Sequence, residues 1–244
     1  MGYLRPQSGV CKIFGEDITK MSAATRERIA LLLEGHVQYA FMTIGQIERF
    51  YSQFYKKWNR AAYYELMEKL KVTPDQKLSS MSCGQRSQVA LGLILAQNAD
   101  LLVLDDFSLG LDPGYRRLFT DYLREYAKAE NKTVFMTSHI IQDMERLVDD
   151  CIILDYGRIL VQKPVKELMD TFHRYAFTAA DCSALESDSR LYSTSRIWEN
   201  CETFSFETGE AVRKILEEKA IEYKDLRQEK LSLEDIFIGL TGKY

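Results

Sequence analysis

Short apolar runs alternate with longer stretches in which apolar residues recur every three or four positions. Ile29–Leu33 is a compact apolar run and predicts a buried strand. Over 44–71, Ile44, Ile47, Phe50, Tyr51, Phe54 and Trp58 share one face at helical spacing, so an amphipathic helix is predicted there. A second helix is predicted over Ala61–Leu70, ended by Val72–Thr73–Pro74–Asp75. Residues 86–98 continue the helical pattern and lead into LLVLDD at 101–106, an apolar strand that ends in carboxylates. A helix over 113–129, a strand over Thr133–Thr137 and a helix over 140–148 follow. The strands Cys151–Leu154 and Arg158–Val161 flank a Tyr156–Gly157 turn and predict a hairpin. Strands that alternate with helices imply an α/β fold, with a mainly parallel sheet covered on both faces.

After Pro164 and a helix to about Met169 the pattern changes. YAFT at 175–178 and ETFSFE at 202–207 read as short strands, with helices near 209–220 and over SLEDIFIGL at 232–240. A small α+β appendage is expected, with its boundary near 171–175. The first 28 residues are polar, with turn signals at Pro6–Gly9 and Gly15–Asp17.

Composition narrows the class. The 244 residues are 46% hydrophobic and 28% charged, as in soluble globular proteins. A net charge of −4 argues against broad nucleic-acid binding. No apolar run approaches the ~18–20 residues that cross a bilayer, and the start has no signal-peptide pattern. Cys11, Cys83, Cys151, Cys182 and Cys201 are scattered. They form neither a disulfide framework nor a metal-ligand spacing, so packing roles in a reducing, cytosolic compartment are expected.

Four segments carry candidate chemistry. MSCGQ at 81–85 precedes a helix, whose N-terminal N–H groups favour anions. Ser82 adds a hydroxyl and Gly84 permits close backbone approach, although a serine before a helix is ordinarily only a cap. LLVLDD places two carboxylates at the C-terminal edge of a sheet, where open α/β sheets bind ligands. There Asp105 suits Mg²⁺ and Asp106 suits orienting or deprotonating a water. SLGLD at 108–112 and TSH at 137–139 follow, the latter carrying His139, one of three histidines.

In that order these segments resemble the ATP-binding cassette (ABC) family: its signature motif, Walker B strand, D-loop and H-loop. The resemblance extends through DDCIILDYGRIL to SLEDIFIGLTG, an ending similar to subunits that power ABC-2 type exporters. It reaches back through YLRPQSGVCKIFGEDI and the Q-loop-like IALLLEGHVQYAFMTI, which puts Glu34 where the family has Gln or Glu. It implies a P-loop-NTPase-like ABC sheet over 1–172, N-terminally incomplete, with a helical subdomain at about 44–98. Residues 173–244 form the appendage.

The family resemblance implies two such domains stacked head to tail around two ATP molecules, with Mg²⁺. Ser82, Gly84 and Gln85 would meet the γ-phosphate held by the partner. Asp105 would serve the metal, Asp106 would be the catalytic carboxylate, His139 the γ-phosphate sensor and Asp112 a cross-dimer contact. Glu34 would link nucleotide to a membrane-spanning permease, and the aromatic region 39–58 would form the permease groove. Such a subunit lies in the cytoplasm against the membrane through its permease; no nucleic-acid partner is implied.

The chain departs from the family in four ways. The P-loop pattern G-x-x-x-x-G-K-[ST] does not occur, so this chain alone is expected to be inactive toward ATP. Asp106 stands where the family usually has Glu, shortening the reach by roughly 1.5 Å, one C–C bond. Since catalytic hydrogen bonds need ~2.6–3.2 Å, slowed hydrolysis is expected. Cys83 replaces a usual Gly, and Phe107 replaces a usual Pro, the latter expected to be nearly neutral. Two functions fit: an energy-coupling ATPase subunit whose sequence lacks its N-terminal block, or a degenerate module that lends its signature motif to a partner's ATP. The pattern favours the first and leaves the transported substrate open.

Overall fold

The structure is a computed structural model that describes residues 2, 4–33, 39–107 and 111–242, with Asp143 described in its backbone only. The chain folds as two compact units that meet at His139/Ile140.

The first unit opens with a small antiparallel hairpin, β1 (Lys12–Ile13) and β2 (Glu16–Asp17), and a short helix α1 (Ala23–Glu27). Strand β3 (Ile29–Leu32) is followed by helices α2 (Ile44–Ser52), α3 (Arg60–Lys69) and α4 (Cys83–Ala96). Strand β4 (Leu101–Asp105), the long helix α5 (Pro113–Ala129) and strand β5 (Thr133–Thr137) complete it. The sheet is parallel, ordered β3-β4-β5, with Leu31, Val103 and Phe135 in register. Helix α4 is apolar on nearly every side and is buried from Ser87 to Ala96, against α3 and β3.

Two expectations change here. The amphipathic helix predicted as far as Trp58 stops at Ser52. Glu48 is only 2% exposed, and its carboxylate accepts from Trp58 Nε1 at 2.9 Å and from the Tyr64 hydroxyl at 3.4 Å. A buried carboxylate must be hydrogen-bonded, so the chain turns back to bring the indole to it. The periodicity had counted Phe54 and Trp58 as further helical turns.

The second change concerns the sheet, which is not covered on both faces by the described residues. Ala30, Leu32, Leu102 and Leu104 are buried on one face. On the other, Leu31 and Val103 are half-buried and Phe135 is 56% exposed.

The second unit begins with α6 (Ile141–Leu147), then β6 (Asp150–Asp155) and β7 (Arg158–Pro164), paired as the predicted antiparallel hairpin. Tyr156 and Gly157 at its turn have φ +42° and +77°, the pair of positive values that a tight two-residue hairpin turn requires. Helix α7 (Val165–Thr171) leads to β8 (His173–Ala179), β9 (Tyr192–Ile197), β10 (Asn200–Ser205), α8 (Gly209–Glu218), β11 (Tyr223–Glu229) and α9 (Leu233–Thr241). The strands form an antiparallel sheet ordered β11-β8-β10-β9. Tyr175, Phe177, Leu185, Val212, Ile215 and Leu216 fill its core. Cys182 and Cys201 are buried there too, and burial pushes the Cys182 thiol up to about 12, as befits a packing residue. The boundary expected near 171–175 falls inside this unit, where α7 passes into β8.

Candidate functional site

The end of β4 gathers the acidic chemistry. Asp105 is its last residue, in register with Thr137 of β5. The Thr137 hydroxyl donates to Asp105 Oδ1 at 2.6 Å. The backbone N–H of Asp106 donates to the Thr137 carbonyl at 3.2 Å and to its hydroxyl oxygen at 3.1 Å. Thr137 therefore fixes one carboxylate by its side chain and the next by the backbone. Asp106 itself adopts φ +42°, a left-handed conformation that Asp tolerates better than most residues.

That backbone turns the Asp106 side chain toward the chain beyond β5. Its Oδ2 lies 2.7 Å from His139 Nδ1. An ionised carboxylate only accepts, so the imidazole Nδ1 is the donor. The carboxylate is 21% and the imidazole 55% exposed, so the pair sits at an open rim. Asp106 Oδ1 is buried, with no hydrogen-bond partner among the described residues. Asp105, Asp106, Thr137 and His139 thus form one continuous hydrogen-bonded set.

A second cluster forms at the start of α4. Ser82 is the N-cap: its Oγ accepts from the Gln85 N–H at 3.2 Å, and Gln85 Oε1 accepts from the Ser82 N–H at 3.0 Å. This capping box leaves the serine proton available to an incoming acceptor. Cys83 is exposed at the first helical position. Gly84 is buried, and a Cβ there would lie 2.4 Å from Tyr115 Cδ2. A helix-to-helix contact thus requires the glycine, a constraint its position in the sequence had not suggested. Asp112 caps α5, its Oδ1 accepting from Gly114 and Tyr115 N–H at 3.0 and 3.1 Å.

Glu34 and Ser108–Gly110 of the SLGLD segment lie outside the described residues. Sequence reasoning did not single out Thr137 or Tyr115. The first entered only as part of TSH at 137–139, with no role of its own, and the second is one of 14 tyrosines.

Among the described residues, no three His, Cys, Asp or Glu side chains converge on a metal position. The exposed Asp105, with Asp106 beside it, suits a Mg²⁺ that brings phosphate oxygens as its other ligands. No helix among the described residues is long and apolar enough to cross a membrane.

Comparison with known proteins follows the same lines. The ABC transporter family matches residues 1–108. The chain is 25% identical over its whole length to an uncharacterized ABC transporter ATP-binding protein, YhcH, of Bacillus subtilis, spanning 81% of that protein. It is 27% identical over 72% of its length to the bacitracin transport ATP-binding protein BcrA of Bacillus licheniformis, spanning 58% of it. Among solved structures, the ATP-binding subunit of an ABC transporter superposes with a TM-score of 0.59 at 22% identity, over 69% of this chain and 72% of that one. CbiO1 of Clostridium perfringens, part of the transporter complex CbiONQ, superposes with a TM-score of 0.57 at 22% identity, over 69% and 71%.

Proposed function

We propose that the chain carries an ABC transporter ATP-binding domain and is the ATP-driven subunit of a transporter whose membrane-spanning permease is a separate chain. The observation that carries the reading is the joined set Asp105–Thr137–Asp106–His139 at the end of the parallel sheet. A Mg²⁺ arriving with the nucleotide would be held by Asp105 and would neutralise charge developing on the phosphates. Asp106 orients the attacking water and takes its proton at the carboxylate. His139 holds Asp106 at Nδ1 and presents its remaining ring edge to the γ-phosphate. Ser82 offers its hydroxyl proton, and the first turn of α4 its N–H groups, to the phosphate bound by a second nucleotide-binding domain.

The reading of a module that only lends its signature motif gains no support from relatives named for ATP binding and transport. The nucleotide-binding part is assigned to residues 1–172 and the C-terminal α+β part to 173–244. The permease is assigned to the aromatic surface of Tyr39, Phe41 and Phe54. These rings are exposed; Tyr39 and Phe54 meet Phe50 edge-to-face at 5.3 and 5.2 Å, and Phe41 meets Tyr39 at 5.9 Å.

The test is ATP turnover by the chain joined behind a P-loop-bearing segment taken from one of these relatives. Asp106→Asn and His139→Ala should each lower turnover by roughly 10²–10⁴-fold, the size of a general-base contribution. Turnover equal to that of the parent in both variants would reject the assignment.

A further inference from the structure

Phe107, which follows the candidate catalytic carboxylate, is 1% exposed. Its ring stacks on Phe119 of α5, with centroids 4.4 Å apart and an interplanar angle of 22°. The residue before it, Asp106, has φ +42°, and its N–H is bound to both oxygens of Thr137. The segment is therefore pinned on both sides of the Asp106 carbonyl, to β5 through residue 106 and to α5 through residue 107.

A proline at 107 would push residue 106 toward extended backbone and would present no aromatic face to Phe119. A phenylalanine imposes no such restriction. Asp is also among the residues that take positive φ most readily. The short carboxylate and the aromatic neighbour are thus mutually compatible, and together they bring Oδ2 to 2.7 Å from His139 Nδ1.

We infer that Phe107 is a positioning residue: its stack on Phe119 holds Asp106 in the left-handed backbone that delivers its carboxylate to His139. The replacement of Pro by Phe is then not neutral. It is the counterpart of the replacement of Glu by Asp, compensating the shorter side chain through backbone direction. The catalytic meaning rests on the ATPase reading given above, whereas the positioning itself does not.

The test uses the full chain without nucleotide, uniformly ¹⁵N-labelled, at one fixed pH. Its three histidines give a sparse imidazole spectrum. In the parent, His139 Nδ1 should give the signal of a protonated nitrogen, because it donates to Asp106. Phe107→Pro, Phe107→Leu and Phe119→Leu should each lose that signal in favour of an unprotonated Nδ1. Phe107→Trp, which keeps an aromatic face, should retain it. Ile47→Ala in α2 removes a buried residue outside the stack and should also retain it. A protonated Nδ1 in all folded stack variants, or its loss in Ile47→Ala as well, overturns the positioning role. Either result leaves the ATPase reading standing, since no nucleotide is present; parental turnover of Asp106→Asn and His139→Ala in the P-loop-bearing fusion would overturn that reading alone.

Discussion

Gly84 occupies the first turn of α4, where alanine has the higher helix propensity by about 1 kcal/mol. The Tyr115 ring reverses that preference, because a new Cβ would lie 2.4 Å from Cδ2, 2.8 Å from Cγ and 2.9 Å from Cε2. Gly84→Ala is expected to destabilise the chain by about 1–3 kcal/mol, the usual cost of overpacking. Urea unfolding followed by far-UV circular dichroism reads this directly, and a second change, Tyr115→Ala, should recover part of the loss. An alanine variant as stable as the parent would show that the ring moves aside freely. The motif Ser82–Cys83–Gly84–Gln85 was legible in the sequence as a helix start, and the capping box is local chemistry. Gly84's packing against Tyr115 was not legible, because it joins two helices whose contact no local pattern specifies.

At the scale of elements, the apolar strands and the longer helices follow their sequence periodicity closely. β4 and α5 fall within a residue of expectation because burial on one face dictates their composition, and β5 does so by its β-branched and aromatic residues, which favour a strand even half-exposed. β9 and β11 escaped notice because they are the two edges of the C-terminal sheet, and edge strands carry polar and charged residues along their length. The connection into β9 is held by charge. Asp188 accepts from Arg190 Nε at 2.9 Å and from Arg190 Nη2 at 2.7 Å, and Arg190 also reaches Glu218 of α8 at 2.9 Å. The Arg190 guanidinium holds the Asp188 carboxyl down at about 2, against a smaller opposing effect of burial.

A carboxylate whose folded pKa is depressed stabilises the fold above its unfolded value, about 4 for Asp. That stability is lost as pH falls from about 4 toward about 2. The unfolding midpoint of Asp188→Asn should therefore vary less with pH than the parent's across this window. A parent and variant with parallel pH profiles would show that the pair contributes nothing there.

At the scale of the whole molecule, exposed apolar surface is the feature that bears on the proposed permease contact. Phe41 is 72% and Phe54 63% exposed; Phe54 packs on Phe50, and Phe41 joins the same aromatic chain through Tyr39. As exposed residues they contribute little to folding, and as a cluster they suit a partner helix. The double variant Phe41→Ser/Phe54→Ser should keep the parent's thermal midpoint and lose co-purification with the proposed permease when the two are co-expressed. Undiminished recovery of that subunit would move the permease contact elsewhere.

What the sequence by itself determined about this protein is the order of its apolar strands and longer helices, the helix start at Ser82 and the four segments that resemble the ABC family. These depend on residues near one another in the chain, where periodicity, capping and turn chemistry operate. Only the tertiary structure decided that Asp106 pairs with His139, 33 residues away, that Thr137 ties the Asp105 carboxylate and the Asp106 backbone to β5, and that Phe107 is a buried anchor. Those facts depend on strand register and on one backbone angle, and residue type along the chain encodes neither until the sheet has formed.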